Sequence, residues 1–321
     1  MRFSVTHPMV ARPTHPDLAT GAGVVRLARA AEAAGFDGYG FTDHPAPPQR
    51  WLDHGGHDAL DPFVALGFVA AATDRLRLIP NVVVLPYRNP FVVAKAAATV
   101  DVLSGGRFTL AVGVGYLEGE YAALGVDHAE RAALFEESLA AVRAVWTGDE
   151  VTVAGRHFTA DAVTAHPRPV SSPHPPIWIG GNGAAARRRV VEHGDGWCPF
   201  PASTGLARVV GTAPLDGDAL EAGIADLHAR LDAAGRDPAS VDVAFTCSAG
   251  GDPAADTFDV DEHLAGLDRL AGLGVTWVQV GLPGDSPARA AEMAFWASTR
   301  TTSTSLPSPA IALSPYAAAR V

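Results

Sequence analysis

The sequence predicts a (β/α)8 TIM barrel, in which eight parallel strands close into a cylinder surrounded by helices. Short apolar segments bounded by glycine or proline alternate with helical repeats until eight of each have passed, which is typical of a parallel barrel. The 321 residues suit one barrel of about 250 residues with insertions. Hydrophobic residues make up 48% of the chain and charged residues 18%, so the chain can bury a large core.

The first half of the chain supplies four strand–helix units. Gly35 follows the first helical repeat and ends it. The third predicted strand contains Pro80, which has no amide hydrogen, so we expect a bulge or bend near Asn81. In order, the predicted elements are a strand at 2–6, a helix at 24–36, a strand at 38–41, a helix at 61–73, a strand at 75–86, a helix at 90–103, a strand at 108–115 and a long amphipathic helix at 129–146.

An insertion follows the fourth strand–helix unit, at about residues 147–176. Its segment V-T-V-A-G-R-H-F-T predicts a β-hairpin that turns at Ala154 and Gly155, and a proline-rich run comes next. Residues 1–298 form a single predicted domain, and 299–321, rich in Ser, Thr and Pro without periodicity, form a predicted C-terminal tail. The remaining strands are at 176–180, 195–198, 241–247 and 275–282, and the helices that follow them are at 184–194, 218–235, 261–274 and 286–297.

Charge and cysteine content argue against several classes of protein. The formal net charge of -11 disfavours binding to nucleic acid or to an anionic membrane surface. Cys198 and Cys247 form no C-x-x-C pair, so neither a disulfide framework nor a thiolate zinc site is indicated. The chain opens without an apolar signal region, and no stretch reaches the roughly 18 apolar residues of a membrane span. We therefore expect a protein of the reducing cytoplasm that acts on small molecules.

The segment F-D-G-Y-G-F-T-D-H-P, residues 36–45, is the strongest candidate for chemistry. It reads as a strand that ends in Asp43 and His44, and Pro45 disfavours a helical conformation at His44. A histidine can exchange protons near neutral pH, because its unperturbed pKa is about 6.5. Alternatively, His44 is a loop histidine bonded to a carbonyl group. The barrel favours the first interpretation, because TIM-barrel active sites lie in the loops that follow the strands.

A second rim segment, G-G-N-G at residues 180–183, lies between a predicted strand and a helix. Its backbone amides and the helix dipole could hold a phosphate, and the arginines at 187–189 would add positive charge. In the alternative interpretation Asn182 caps the helix and the arginines lie in solvent. The position on the rim favours the anion site.

Other motifs are weaker. V-G-V-G-Y at 112–116 superficially suggests a dinucleotide fingerprint, but the spacing to Gly119 is one residue too long and no acidic strand end follows. His54 and His57, with neighbouring aspartates, could form a metal site, yet the first strand ends in T-H-P and not in the H-x-H of metal-dependent barrel hydrolases. We therefore predict no catalytic metal. The chain contains no G-x-S-x-G nucleophile motif.

Five motifs in order resemble one family. They are T-D-H-P at 42–45, L-P-Y-R-N-P at 85–90, D-V-L-S-G-G-R-F-T-L-A-V-G-V-G-Y at 101–116, P-P-I-W-I-G-G-N at 175–182 and G-D-G-W at 194–197. Together they are similar to the luciferase-like monooxygenase superfamily, and within it most similar to the deazaflavin (coenzyme F420)-dependent oxidoreductases of actinobacteria. The resemblance covers residues 1–298 and implies the bacterial luciferase-like type of TIM barrel.

The resemblance also implies a cofactor site. A flavin-shaped ring would enter the barrel mouth, with Asp43 and His44 beside its reacting face and His44 as proton donor or acceptor. Relatives carry a non-proline cis peptide at the position of Asn81-Val82. Many deazaflavin enzymes have a glutamate soon after the glycines, whereas here Tyr116 comes first and Glu118 only later, which argues against a sugar-type substrate. The residues that match the cofactor site are Asn81, Val82, Gly113, Val114 and Gly115, and those that match the site of the phosphate-bearing tail are Gly180, Gly181 and Asn182.

The resulting hypothesis is hydride transfer between coenzyme F420 and a small organic substrate. Two alternatives remain at this point: a reduced-FMN-dependent monooxygenase on the same fold, and a cofactor-free binding protein that has kept the barrel. Residues 45–58 and 199–217 are expected to determine the substrate. The resemblance implies a homodimer formed through helices near the second and third strands.

Overall fold

The computed structural model describes residues 1–10, 13–252, 255 and 257–302, with side-chain surroundings described as far as residue 294. Its strands are β1 (Arg2–Thr6), β2 (Gly38–Gly40), β3 (Arg77–Leu78), β4 (Val83–Val84), β5 (Leu110–Gly113), β6 (Val151–Ala154), β7 (Thr159–Val163), β8 (Ile177–Gly180), β9 (Gly196–Cys198), β10 (Asp242–Phe245) and β11 (Trp277–Val280). Its α-helices are α1 (Gly21–Ala33), α2 (Gln49–Leu52), α3 (Pro62–Ala72), α4 (Pro90–Leu103), α5 (Glu118–Ala123), α6 (Arg131–Thr147), α7 (Ala184–His193), α8 (Thr204–Val210), α9 (Gly217–Ala233), α10 (Val260–Gly272) and α11 (Pro287–Thr302).

The main sheet closes into the predicted barrel. Its strands are parallel neighbours in the order β3-β2-β1-β11-β10-β9-β8-β5-β4. The two ends of this order, β3 and β4, are the two halves of the interrupted third strand, so the sheet returns to its starting point. A parallel bridge between Leu78 and Phe108 supports the closure. The (β/α)8 prediction is confirmed, and α2, α5 and α8 are short additional helices within rim loops.

The third strand breaks where the sequence predicts. β3 ends at Leu78 and β4 begins at Val83, so Pro80 lies in the gap, where the strand cannot keep a regular hydrogen-bonding pattern. The Asn81-Val82 peptide bond in this gap is cis, as the family resemblance implied. The Asn81 amide donates to the carbonyl of Phe41 at 2.7 Å, which ties the break to the strand end that carries the candidate histidine.

Hydrophobic side chains pack on both faces of the barrel strands. Alternate residues of the strands face inwards, and the inward layer includes Trp178 and Trp277, whose rings lie 5.4 Å apart. Glycine makes room for these rings, because a Cβ atom at Gly196 would lie 2.3 Å from Trp178 Cδ1. The outward residues of the same strands pack against the helices in the largest core cluster. Among the described residues, no helix has both the length and the apolar character needed to cross a lipid bilayer.

The insertion forms the predicted hairpin, in which β6 and β7 pair antiparallel and Ala154 lies opposite Thr159. The buried carboxylate of Asp101 on α4 holds the proline-rich run that follows, because it accepts hydrogen bonds from the Val170 and Ser171 amides and the Ser171 hydroxyl. At the other end of the chain, α11 continues to Thr302, beyond the predicted boundary at 298. Residues 303–321 of the predicted tail lie outside the described residues.

His7 fastens the end of β1 to the loop before α1. Its Nε2–H donates to the carbonyl of Leu18 at 2.9 Å, and the Tyr39 hydroxyl lies 2.6 Å from Nδ1. A carbonyl only accepts, so the neutral ring carries its proton on Nε2 and accepts from Tyr39 at Nδ1. Burial, which outweighs the hydrogen bond to Leu18, lowers the pKa of His7 to about 4. The folded protein therefore keeps this histidine neutral over the range in which an unfolded histidine gains a proton.

We expect His7 to make folding sensitive to mild acid. Between pH 6.5 and pH 4 the unfolded chain binds a proton at this position and the folded chain does not, so stability falls as pH falls. The loss should reach about 3 kcal/mol at pH 4 and should be missing in His7→Gln. Urea unfolding at pH 7 and pH 4 measures it, with His166→Gln as the control, because the His166 side chain is 63% exposed. An equal loss in the wild type and His7→Gln would contradict this account.

Candidate active site

The predicted rim residues come together at the carboxyl ends of the barrel strands. Gly113 ends β5, Gly180 ends β8, and Val82 follows the break in the third strand. A Cβ atom at Gly113 would lie 2.9 Å from Val82 Cγ2, and one at Gly180 would lie 3.4 Å from Val82 Cγ1. The two glycines therefore lie directly against the Val82 side chain, and we call these three residues the glycine cradle. A larger residue at Gly113 would have to displace Val82.

Gly115 is required by its backbone and by its surroundings. Its φ angle is +68°, in the left-handed region, and a Cβ atom there would lie 2.5 Å from Val84 Cγ1. The neighbouring Val114 carbonyl accepts a hydrogen bond from the Tyr121 hydroxyl on α5. The loop after β5 is thus held close to the third strand, and it leads directly into α5.

His44 lies in the loop after β2, and a buried glutamate holds its ring. The Nδ1 atom lies 3.1 Å from Oε2 of Glu120, a side chain on α5 with no exposed surface. The same carboxylate accepts from the Ala46 amide at 3.2 Å and from the Tyr87 hydroxyl at 3.0 Å. Burial and then the charge of Glu120 raise the pKa of Tyr87, so its hydroxyl stays protonated and donates.

Asp43 turns away from His44 and towards Arg88. Its carboxylate accepts two hydrogen bonds from the guanidinium, at 2.6 and 2.8 Å, and a third from the Val84 amide at 2.9 Å. Arg88 also donates to Asp61 at 3.1 Å. Burial alone would lower the pKa of Arg88, but the hydrogen bonds and charges of these two aspartates raise it. The carboxylate of Asp43 is fully occupied in fixing the loop, so the adjacent Asp43 and His44 have separate partners.

Three rings line the space around His44. Trp51 lies 4.6 Å from the imidazole, His57 4.9 Å and Tyr116 6.4 Å, measured between ring centroids. Burial lowers the pKa of His57, whose Nδ1–H donates to the Asp58 carbonyl, and it raises the pKa of Tyr116 to about 12, with a further contribution from Glu120. These walls are therefore uncharged at neutral pH.

Asn182 does not cap α7. Its side-chain amide donates to the carbonyls of Phe200 and Ala213, and its oxygen accepts from the Phe200 amide, so it fastens the loop after β9. The cap position belongs to Gly183, which makes no side-chain hydrogen bond. The first-turn amides of α7 therefore face no capping side chain among the described residues, which leaves them suited to an anion.

The predicted arginines add little charge to this anion site. Arg187 pairs with Asp226 at 2.6 Å, and Arg189 pairs with Glu136 at 2.8 Å. Arg188 bridges Glu136 and Glu192. Acidic partners balance all three charges, and the guanidinium of Arg187 also donates to the carbonyl of Asn182 at 3.1 Å, so an anion at the G-G-N-G segment would depend mainly on backbone amides.

Sequence reasoning missed Glu120, Tyr87 and Arg88. Glu120 follows a glycine-rich strand end on the rim, but Glu118 follows the same strand end on the same short helix, so this position did not single out Glu120. Arg88 lies inside the L-P-Y-R-N-P motif that carried the family resemblance, but its partner Asp43 is 45 residues away. His54, considered as a metal ligand, has its Nδ1 atom 2.6 Å from the Arg50 carbonyl.

Comparison with known proteins identifies the family of this chain. A family model described as luciferase-like monooxygenase matches residues 1–259. The F420-dependent glucose-6-phosphate dehydrogenase of Beutenbergia cavernae is 38% identical over 190 residues, which cover 58% of this chain and 53% of that protein. The FMNH2-dependent dimethylsulfone monooxygenase of Pseudomonas putida is 32% identical over 166 residues, covering 50% of this chain and 44% of that protein. The chain thus spans about half the length of these two relatives.

A solved structure has the same fold over nearly the whole chain. It is the monooxygenase RslO1 from Streptomyces bottropensis, with a TM-score of 0.78 and 21% sequence identity. The alignment covers 94% of this chain and 98% of that one. At this identity the likeness bears on the fold alone, and it agrees with the closed barrel described above.

Proposed function

The chain belongs to the luciferase-like monooxygenase family, and on that premise we propose that it is a coenzyme F420-dependent oxidoreductase. It transfers a hydride between the deazaflavin and a small organic substrate. The observation that carries this proposal is the pairing of His44 with the buried Glu120 on the rim where the glycine-ended strands β5 and β8 also finish. The F420-dependent relatives supply the choice of cofactor, since both deazaflavin and flavin share the required ring shape.

The rim residues fit a flat ring with an acidic tail. Gly113 and Gly180 end β5 and β8 without side chains of their own, and in this proposal the planar group lies over the backbone there, on the side of the glycine cradle that Val82 does not occupy. Gly181 lies next to the uncapped first turn of α7, where backbone amides and the helix dipole favour an anion. We assign the ring to the cradle, with Asn81, Val114 and Gly115 around it, and the phosphate-bearing tail to residues 180–182.

The residues of the chain manage the proton while the cofactor, when bound, accepts or supplies the hydride at its central ring carbon. In oxidation of an alcohol, the substrate loses a hydride from carbon and a proton from oxygen, and a carbonyl group forms. His44 takes that proton at Nε2, because Nδ1 is committed to Glu120. In reduction the same imidazole returns the proton to the oxygen. The uncharged rings of Trp51, His57 and Tyr116 surround the imidazole of His44 and limit the access of water to it.

A second candidate is a reduced-FMN-dependent monooxygenase on the same fold. It is favoured by the match to the FMNH2-dependent dimethylsulfone monooxygenase, and the same cradle would hold its ring. A third, from another class, is a cofactor-free binding protein. The three differ in which ring, if any, the folded chain binds.

Equilibrium titration of the chain with F420 and with FMN, followed by fluorescence, separates these functions. We expect F420 to bind at least about 10-fold tighter than FMN, a difference of about 1.4 kcal/mol. Gly113→Val should abolish binding, because the added side chain would collide with Val82 and displace it, whereas Gly67→Ala, at a glycine with open space around it, should not. Tighter binding of FMN would favour the monooxygenase, and failure of both rings to bind would favour the binding protein.

His44→Ala tests the role of the imidazole. The variant should bind F420 as the wild type does, because the cradle is unchanged, and its turnover should fall about 10²- to 10⁴-fold through loss of general-base catalysis. Single-turnover reduction of F420 with a panel of small alcohols gives the rates. His54→Ala is the matched control, since His54 lies in the same loop and contacts the Arg50 carbonyl. Unchanged turnover in His44→Ala would remove His44 from the mechanism.

The working unit is a homodimer in the reducing cytoplasm. Helix α3 is apolar on its outer face as well as its inner face, with Val64 66% and Phe68 49% exposed, and the adjacent α4 exposes 62% of Val92. A helix that is hydrophobic all round is normally covered. These helices follow the second and third strands, where a twofold contact would bury the three side chains.

Sedimentation velocity tests the dimer. The wild type should sediment as a dimer, and Val64→Glu should sediment as a monomer because it places a charge in the apolar contact. Val209→Glu changes a side chain on α8 that is 75% exposed, so that variant should remain dimeric. A wild type that stays monomeric at the same concentration would rule out this interface.

A further inference from the structure

We propose that Glu120 is a positioning residue that fixes His44 in one tautomer, with the proton on Nδ1. In that tautomer Nε2 is the only ring nitrogen that can exchange a proton with a substrate. The geometry of the resting chain carries the assignment of the tautomer. Only its consequence for turnover rests on the proposed function, so the two can fail separately.

The contacts of the carboxylate determine the direction of its hydrogen bonds. Oε1 accepts from the Ala46 amide at 3.2 Å, and Oε2 accepts from the Tyr87 hydroxyl at 3.0 Å. An amide can only donate, and the protonated Tyr87 donates to its nearest oxygen. An ionised carboxylate has no hydrogen to donate, so it also accepts in the third contact, with His44 Nδ1 at 3.1 Å. The imidazole must then carry its hydrogen on Nδ1.

The complete burial of the Glu120 side chain makes its three hydrogen bonds necessary. Burying a carboxylate costs free energy because it loses its contact with water, unless both oxygens accept hydrogen bonds from the protein. All three partners of Glu120 belong to the rim: His44 and Ala46 lie in the loop after β2, and Tyr87 lies in the turn after β4. The carboxylate therefore gathers two rim segments around one imidazole and does not support a helix–helix contact.

Glu118 provides an internal comparison on the same short helix. Its side chain is 75% exposed and lies 3.6 Å from Nδ1 of His128, outside the ring group around His44. The two glutamates thus share sequence context and helix but differ in burial and in partner. A substitution at Glu118 measures the general cost of losing a charge on α5, and a substitution at Glu120 adds the loss of the His44 contact.

Nitrogen-15 NMR of the ring nitrogens in the cofactor-free chain tests the tautomer directly, with the His44 signals assigned from their loss in His44→Gln. The spectra are recorded at a pH at which the ring has lost its second proton, and there the wild type and Glu118→Gln should show the remaining proton of His44 on Nδ1. Glu120→Gln offers an amide that can also donate to Nδ1, so the Nε2–H tautomer should become populated. A wild-type His44 protonated on Nε2, or an unchanged tautomer in Glu120→Gln, would overturn the proposal.

A second variant covers the case in which Glu120→Gln fails to fold. Glu120→Asp keeps the charge but withdraws the carboxylate by one methylene, so it should also mix the tautomers. In an F420 assay either variant should lower kcat about 10²-fold with an unchanged dissociation constant for F420. A kcat equal to that of Glu118→Gln would overturn the positioning role. If F420 does not bind to the wild type, the proposed function fails, and the NMR result still decides the tautomer.

Discussion

The ion pair between Asp43 and Arg88 is the constraint on which the candidate site depends. The carboxylate is buried at the end of β2, and it binds the guanidinium through two hydrogen bonds and the Val84 amide through a third. The same guanidinium reaches Asp61 at the start of α3. The Asp43–Arg88 pair therefore joins the loop after β2 to the second half of the third strand and to the start of α3. Because Asp43 is held in this way, the loop that carries His44 is fixed against the third strand.

Sequence periodicity was sufficient to predict the barrel and its rim. Apolar repeats identified the strands and helices, and the lack of an amide hydrogen at Pro80 located the break in the third strand. Each of these features depends on neighbours a few residues away. The G-G-N-G segment and the glycines at 113 and 115 were also predictable as rim positions, because each follows directly from a strand end. Their assignment to a cofactor remains a prediction.

The partners within the site could not be predicted, because they are far apart in sequence. Glu120 is 76 residues from His44, and no local pattern distinguishes it from the exposed Glu118. For Asn182 as well, the bonding partners of the side chain could not be predicted from the neighbouring sequence. Its local context suggested a helix cap, but its side chain binds Phe200 and Ala213, which only the folded loop after β9 brings within reach. Local propensity yields where a tertiary contact satisfies more hydrogen-bonding groups.

The split of the third strand gives the His44–Glu120 contact a further significance. β2 and β5 are not neighbours in the sheet, because the two halves of the third strand lie between them. The contact therefore depends on both halves of the third strand, which set the separation between the loop after β2 and the loop after β5. Without this strand between them, nothing in the sheet would hold the His44 ring against its carboxylate partner. The geometry of the candidate site is thereby tied to the closure of the barrel.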